Sequence, residues 1–277
     1  MEIPGASLPE KRCRNASRGV MMHTIMGCAP RPAVPDETDR DSQPFPRTGP
    51  LANQLNQSFA GLTARIGSEL LKRPVYSYIV TTAKVAGSGF HQTGSAPNFQ
   101  GGRITLCTCK HKDRASAPPE RSRGPNSDDP WRGIWVAGLC SSTQLRPRAL
   151  FYMMLVGETC GNHAAAWESL RSPSAKSAHR DPFGDIYEPL KSPCQQPWRS
   201  SSYKAHLPGH AHDVKGRDYD IERSFHGRHP RLLVGDPRHS YLWSQPTIAL
   251  QADVDDEWAS AHHRFYAHLS DFLELCQ

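Results

Sequence analysis

One stretch, 76–112, restricts the fold more than any other part of the chain. It reads YSYIVTTAKVAGSGFHQTGSAPNFQGGRITLCTCKHK. Its opening run, Tyr76-Ser-Tyr-Ile-Val-Thr-Thr, is β-branched and aromatic, which suits a pleated, half-buried strand. Arg103-Ile-Thr-Leu-Cys-Thr-Cys reads as a second strand. The Gly, Ser, Asn and Pro between them cannot continue either strand, so that segment is expected to be a loop. Cys107 and Cys109 alternate along the second strand, so their side chains point to opposite faces, which disfavours a shared metal or a mutual disulfide.

Residues 1–49 are rich in Pro, Ser, Arg and Asp without periodicity, and read as disordered or loosely attached. From 50 to 73 the pattern changes. Leu51, Leu55, Phe59, Leu62, Ile66 and Leu70 recur at spacings of three and four, between Pro50 and Pro74. That predicts an amphipathic helix, packed on the domain or offered to a partner. The third segment, 74–277, is expected to be one domain. Strand character returns over 131–140 and 149–158, and a short helix is expected over 164–170. The stretch 172–202 is turn-rich around an ordered island at Asp185-Ile-Tyr-Glu-Pro-Leu. Two late strands follow at 231–234 and 241–243. Val254, Trp258, Phe265, Leu269, Phe272 and Cys276 suggest a closing helix entered through Asp253, Asp255 and Asp256, which suit the positive end of a helix dipole. Short strands, irregular loops and few helices predict an α+β domain, and no βαβ alternation points to a doubly wound sheet.

The 33 basic residues outnumber the 27 acidic ones, a net charge of +6. This fits a polyanion partner and equally an ordinary basic protein. The 8 cysteines form no CxxC pair, as expected of reduced thiols in the cytoplasm. No run reaches the length of a membrane span, and the apolar patch over 20–30 is broken by His23 and Thr24, so no membrane partner is expected. No G-x-S-x-G elbow, Walker loop or GxGxxG loop occurs, which argues against those hydrolytic and Rossmann cofactor chemistries.

The order of several short motifs resembles the nucleotide modification associated domain, type two, of bacteria and phages. That family has a Tyr-bearing strand, Gly-Phe-Ala-Pro-Asn, Thr-Leu with a Cys-Lys pair, and a Gly-x-Trp-x-x-Gly strand. The counterparts here are Tyr76-Ser-Tyr-Ile-Val, Gly89-Phe90 with Ala96-Pro97-Asn98-Phe99, Thr105-Leu106 with Cys109-Lys110, and Gly133-Ile-Trp-Val-Ala-Gly138. The hydrophobic run Phe151-Tyr-Met-Met-Leu-Val follows, and the resemblance spans roughly residues 75–250. His91-Gln-Thr-Gly-Ser departs from the family's compact loop, and Ile134 stands where it carries an acid. The family is tied by genomic company to modified DNA bases. Its strand pattern is similar to PUA-like barrels, which implies a small, curved, mostly antiparallel sheet with flanking helices.

The resemblance implies a domain that binds a nucleotide or nucleic acid, DNA in the first instance, and recognises or helps to process a modified base. Such a site needs stacking surfaces, polar groups for a base edge and cations for phosphate. Tyr78, Phe90 and Trp135 are candidates for stacking, with core packing as the competing role for Tyr78 and Trp135. Asn98 suits a base edge, and equally a turn. Lys110, Lys112 and Arg114, with Arg121 and Arg123 beyond them, suit phosphate, and equally a solvated loop. No cofactor is expected on this reading. The alternative is a metal-assisted nucleobase-modifying enzyme or hydrolase holding a divalent ion with His210, His212 and Asp213. A protein-interaction module using the 50–73 helix is a further alternative. The residues leave binding and catalysis both open.

Overall fold

The computed structural model describes residues 51–276 apart from 87–88, 93, 127, 181–182, 205–213 and 259–261. Its strands in chain order are β1 (Val75–Val80), β2 (Ala83–Ala86), β3 (Gly89–Gln92), β4 (Thr105–Leu106), β5 (Trp135–Cys140), β6 (Leu150–Cys160), β7 (Leu232–Leu242) and β8 (His263–Tyr266). Six of them make one curved sheet in the order β4-β7-β6-β5-β1-β8. Only β1 and β5 run parallel; every other neighbouring pair in this sheet is antiparallel. β2 and β3 form a separate hairpin. The domain is α+β with a curved, mostly antiparallel sheet, as the strand pattern and the resemblance led one to expect.

Period-two alternation sorts the central strands into two faces. Tyr76, Tyr78, Val136, Tyr152 and Met154 enter one apolar cluster, and Val75, Trp135, Ala137, Leu139 and Met153 enter another. Each face has its own cover, so β5 is buried throughout. The first face lies under the 90–106 segment and Trp131. The second lies under α1 (Phe59–Arg65) and α8 (Leu269–Glu274), through Leu62, Ile66, Leu269, Phe272 and Leu273. One cross-strand row explains a glycine. Tyr78, Gly138 and Tyr152 stand side by side in register on β1, β5 and β6. With no side chain between them, the two phenols close to 2.9 Å.

Several sequence expectations change. The 50–73 segment is not one helix. It is a 3-10 turn (Ala52–Gln54), α1 and α2 (Ser68–Leu71). Asn56 breaks it at φ 54, its amide bridging to Ser244 through Oδ1 and Nδ2 at 2.7 and 2.8 Å, and Gly67 breaks it again at φ 25. Ser58 then caps α1 by accepting from the Gly61 N–H. The loop expected after β1 contains the β2–β3 hairpin, and the 103–109 strand shortens to two residues.

The two late strands are a single strand, β7, with an excursion. Met154 pairs with Ser240 and Val156 with Gly235, so residues 236–239 bulge out of the ladder. Pro237 has no N–H to give the ladder. Gln54 fills the bulge instead, donating to Pro237 O (3.0 Å) and Arg238 O (2.6 Å) and accepting from Ser240 N (3.2 Å). The closing helix is divided into α7 (Ala252–Glu257), β8 and α8. β8 satisfies the open edge of β1 and sets Phe265 against the Tyr76 ring at 5.0 Å. Asp255 does not end as a solvent-facing dipole charge. It is buried against Arg148, 2.6 Å from Nη1. The short helix expected near 164–170 is α4 (His163–Ser169), capped by Asn162. Among the described residues no helix is long and apolar enough to cross a membrane.

Candidate functional site around the Cys107–Arg114 turn

β4 ends at Leu106, and the chain turns sharply into α3 (His111–Ala115). The turn depends on Lys110, whose backbone is left-handed at φ 56. For a residue with a Cβ that conformation costs on the order of 1 kcal/mol, and such residues cluster at functional sites. Arg114 holds the turn from inside. It is 1 % exposed. Its Nε donates to Cys109 O (2.7 Å), Nη2 to Cys107 O (2.8 Å) and Nη1 to Arg231 O. Burial pulls its pKa down, opposed by nearby thiols and by Asp220 and Asp185. This turn presents one group of polar side chains on each side.

On the β1 side, Tyr76 donates to Asp113 Oδ2 at 2.7 Å, and His263 Nδ1 lies 3.5 Å from the same oxygen. Tyr152 donates to Tyr78 as above. The Lys110 ammonium sits 5.2 Å from the Tyr78 ring centroid and donates to His262 O at 3.5 Å. Among the described residues it has no ion-pair partner. Burial lowers the Lys110 pKa and raises those of Tyr76, Tyr78 and Tyr152. The phenols are therefore neutral donors, and Lys110 releases its proton more readily than an exposed lysine does.

On the other side lies a buried polar cluster. Asp185, 0 % exposed, accepts from Thr105 Oγ1 (2.6 Å) and from the Cys107 N–H (2.9 Å). His179 Nδ1 approaches the same carboxylate to 3.3 Å without hydrogen-bond geometry. Asp220, on α6 (Val214–Glu222), accepts from Tyr187 Oη at 2.8 Å and stands 2.8 Å from His111 Nε2, the latter at ion-pair distance but off hydrogen-bond alignment. His163, the first residue of α4, accepts through Nδ1 from the Tyr187 N–H at 3.4 Å, which leaves its Nε2 proton buried without a partner. Burial pushes the His163 pKa down to about 4, so the ring is neutral at pH 7. The His111 ring packs edge-on to Tyr219, which is 38 % exposed, while His111 Nε2 and Asp220 are themselves buried. An imidazole oriented by a carboxylate can accept and return a proton.

The residues singled out from sequence are distributed unevenly around this turn. Tyr78 and Phe90 share the first apolar cluster, Phe90 packing against Phe151 at 4.9 Å. Trp135 is buried on the opposite face of the sheet, its Nε1 donating to Leu70 O. Asn98 is buried and spans its own turn, donating from Nδ2 to Phe183 O and accepting from the Gln100 N–H. Lys110 and Lys112 stand at the turn, Lys112 exposed, while the guanidinium of Arg114 is turned inward onto main chain. His210, His212 and Asp213 lie outside the described residues. Among the described residues no group of His, Cys, Asp and Glu is arranged to hold a metal. Sequence reading missed Asp113, His111, His163, Asp185, Tyr187 and Asp220. Only the ordered island at 185–190 hinted at any of them. No family model, no curated protein and no solved structure matches the chain.

Proposed function

We propose that the chain binds a nucleotide or nucleic acid, DNA in the first instance, and that the Cys107–Arg114 turn is where it does so. The observation that carries this reading is Lys110: a cation without an ion-pair partner among the described residues, held by a left-handed backbone over an aromatic ring, beside the exposed Lys112. A pre-positioned ammonium suits phosphate. The part of the reading that specifies a modified base rests on the motif order from Tyr76 to Gly138. The test is binding of the full chain to duplexes carrying a panel of modified bases, across a salt series. Lys110→Ala weakens binding and lowers the salt slope by about 1 per lost phosphate contact. Unchanged affinity and slope in Lys110→Ala would sink the proposal.

A second reading is catalysis on the bound base or nucleotide, favoured by the His111–Asp220 pair one residue beyond Lys110. His111→Gln then abolishes turnover while binding persists. Turnover that survives this change, or is absent in the native protein with every base tested, removes it.

A further inference from the structure

On the far side of β5 from the Lys110 turn is an open cleft of about 550 Å³. It lies among the end of α2, the 125–126 loop, the turn into β5 and the middle of β6. Leu70 and Leu155, both of the second apolar cluster, give it an apolar floor, and Arg73, Arg132 and Asn126 bring polar groups to it. Two glycines shape one wall. A Cβ on Gly133, which has φ +82, would meet Pro125 Cδ at 2.8 Å, and one on Gly124 would run into the Arg132 carbonyl. The 124–126 loop is thereby pressed against the Arg132–Gly133 turn.

Arg73 and Arg132 have no ion pair among the described residues. Of the acids nearest to the lining residues in the chain, Glu69 pairs with Lys72 at 3.0 Å and also feels the Arg73 charge, Glu158 pairs with Arg103 at 3.7 Å, and Asp129 accepts from the Thr159 hydroxyl. Asp128 is engaged as well. Two guanidinium groups beside an apolar floor, in a cleft within the roughly 300–1,000 Å³ range of small-ligand sites, match a ligand with one anionic end and one flat apolar part. We propose that this cleft binds a phosphate monoester or diester next to a nucleobase or similar ring, with Arg73 and Arg132 on the phosphate and Leu70 and Leu155 under the ring. It is a second anion site, separate from Lys110.

The two sources of such a group are a free nucleotide and a nucleic-acid strand. Isothermal titration of the full chain with thymidine 5′-monophosphate, thymidine and a twelve-residue oligothymidylate distinguishes them. Thymidine is expected to bind at least about tenfold more weakly than its monophosphate, since bonds to charged groups dominate. Arg73→Ala and Arg132→Ala each weaken the phosphate-bearing ligand by about tenfold or more. Loss confined to the monophosphate assigns a free nucleotide, and loss confined to the oligonucleotide assigns a strand. Arg132 is exposed, so Arg132→Ala retains the fold, and far-UV circular dichroism checks that it does. The proposal is overturned if neither phosphate ligand binds, or if both arginine variants bind as the native chain does. It is equally overturned if Lys110→Ala alone abolishes binding. Failure at the Lys110 turn with retained dependence on Arg73 and Arg132 would leave this cleft standing by itself.

Discussion

Arg114 offers the sharpest test of how the site is built. Its guanidinium makes three hydrogen bonds to main-chain carbonyls and none to an exposed surface. Hydrogen bonds from a charged donor contribute roughly 1.5–3 kcal/mol each, so the gross contribution is about 5–9 kcal/mol. Burying the cation costs several kcal/mol, which a neutral substitute does not incur. Its removal, however, takes away a buried positive charge that Asp185 and Asp220 interact with. The net expected loss for Arg114→Met is about 3–5 kcal/mol, a large part of the roughly 5–15 kcal/mol that keeps a domain folded. Urea unfolding followed by tryptophan fluorescence reads this directly, because Trp131, Trp135, Trp243 and Trp258 are all buried. With an m-value of about 2–3 kcal/mol/M the midpoint falls by roughly 1–2.5 M. Arg114→Lys falls by about half as much, since one ammonium cannot span three carbonyls. A midpoint for Arg114→Met within about 0.5 M of native would refute the clamp. If Arg114→Lys kept native stability yet lost nucleotide binding, Arg114 would be a phosphate ligand after all.

Three other outcomes follow from the geometry. The folded-state pKa of His163 is about 4 against an ordinary 6.5, so the unfolded chain binds the extra proton between those values. Stability is therefore full above pH 6.5 and falls as pH drops towards 4, by about 3 kcal/mol; pH-dependent urea midpoints check this, and a His163→Gln variant with the same pH slope would contradict it. Gly138→Ala places a methyl group against the Tyr152 ring and 2.6 Å from Val80 Cγ2, with an expected loss of about 1–3 kcal/mol by thermal melting; an unchanged melting temperature argues against the Tyr78–Gly138–Tyr152 row. Gln54→Ala strips the β7 bulge of three hydrogen bonds and costs about 1–3 kcal/mol, and Gln54→Glu is at least as damaging because a carboxylate faces two carbonyls. Amide exchange at Ser240 should quicken in both variants, and unaltered protection would count against the plug.

Much of the framework follows from local pattern alone. β1, β5 and β6 sit where β-branched, aromatic and apolar residues concentrate, because a run that must be buried on both faces has to be apolar at every position. Cys107 and Cys109 do pack in different clusters, but in the turn after β4 and not on the strand whose periodicity was expected to separate them. Helix α4 was legible from its short alanine-rich run, while its Asn162 cap was not singled out. The breaks in the 50–73 segment were not, because they depend on Asn56 finding Ser244 and on Leu55 bridging to Leu242. Nor was β8, whose strand state exists only because β1 presents an open edge. The site is the least local feature of all. Asp220 meets His111, Asp185 meets Thr105 and Cys107, and Arg114 meets Arg231 from remote parts of the chain. Periodicity reports which side chains leave water. Which buried polar groups then face one another is decided only when the folded sheet excludes water from them and each must find a partner nearby.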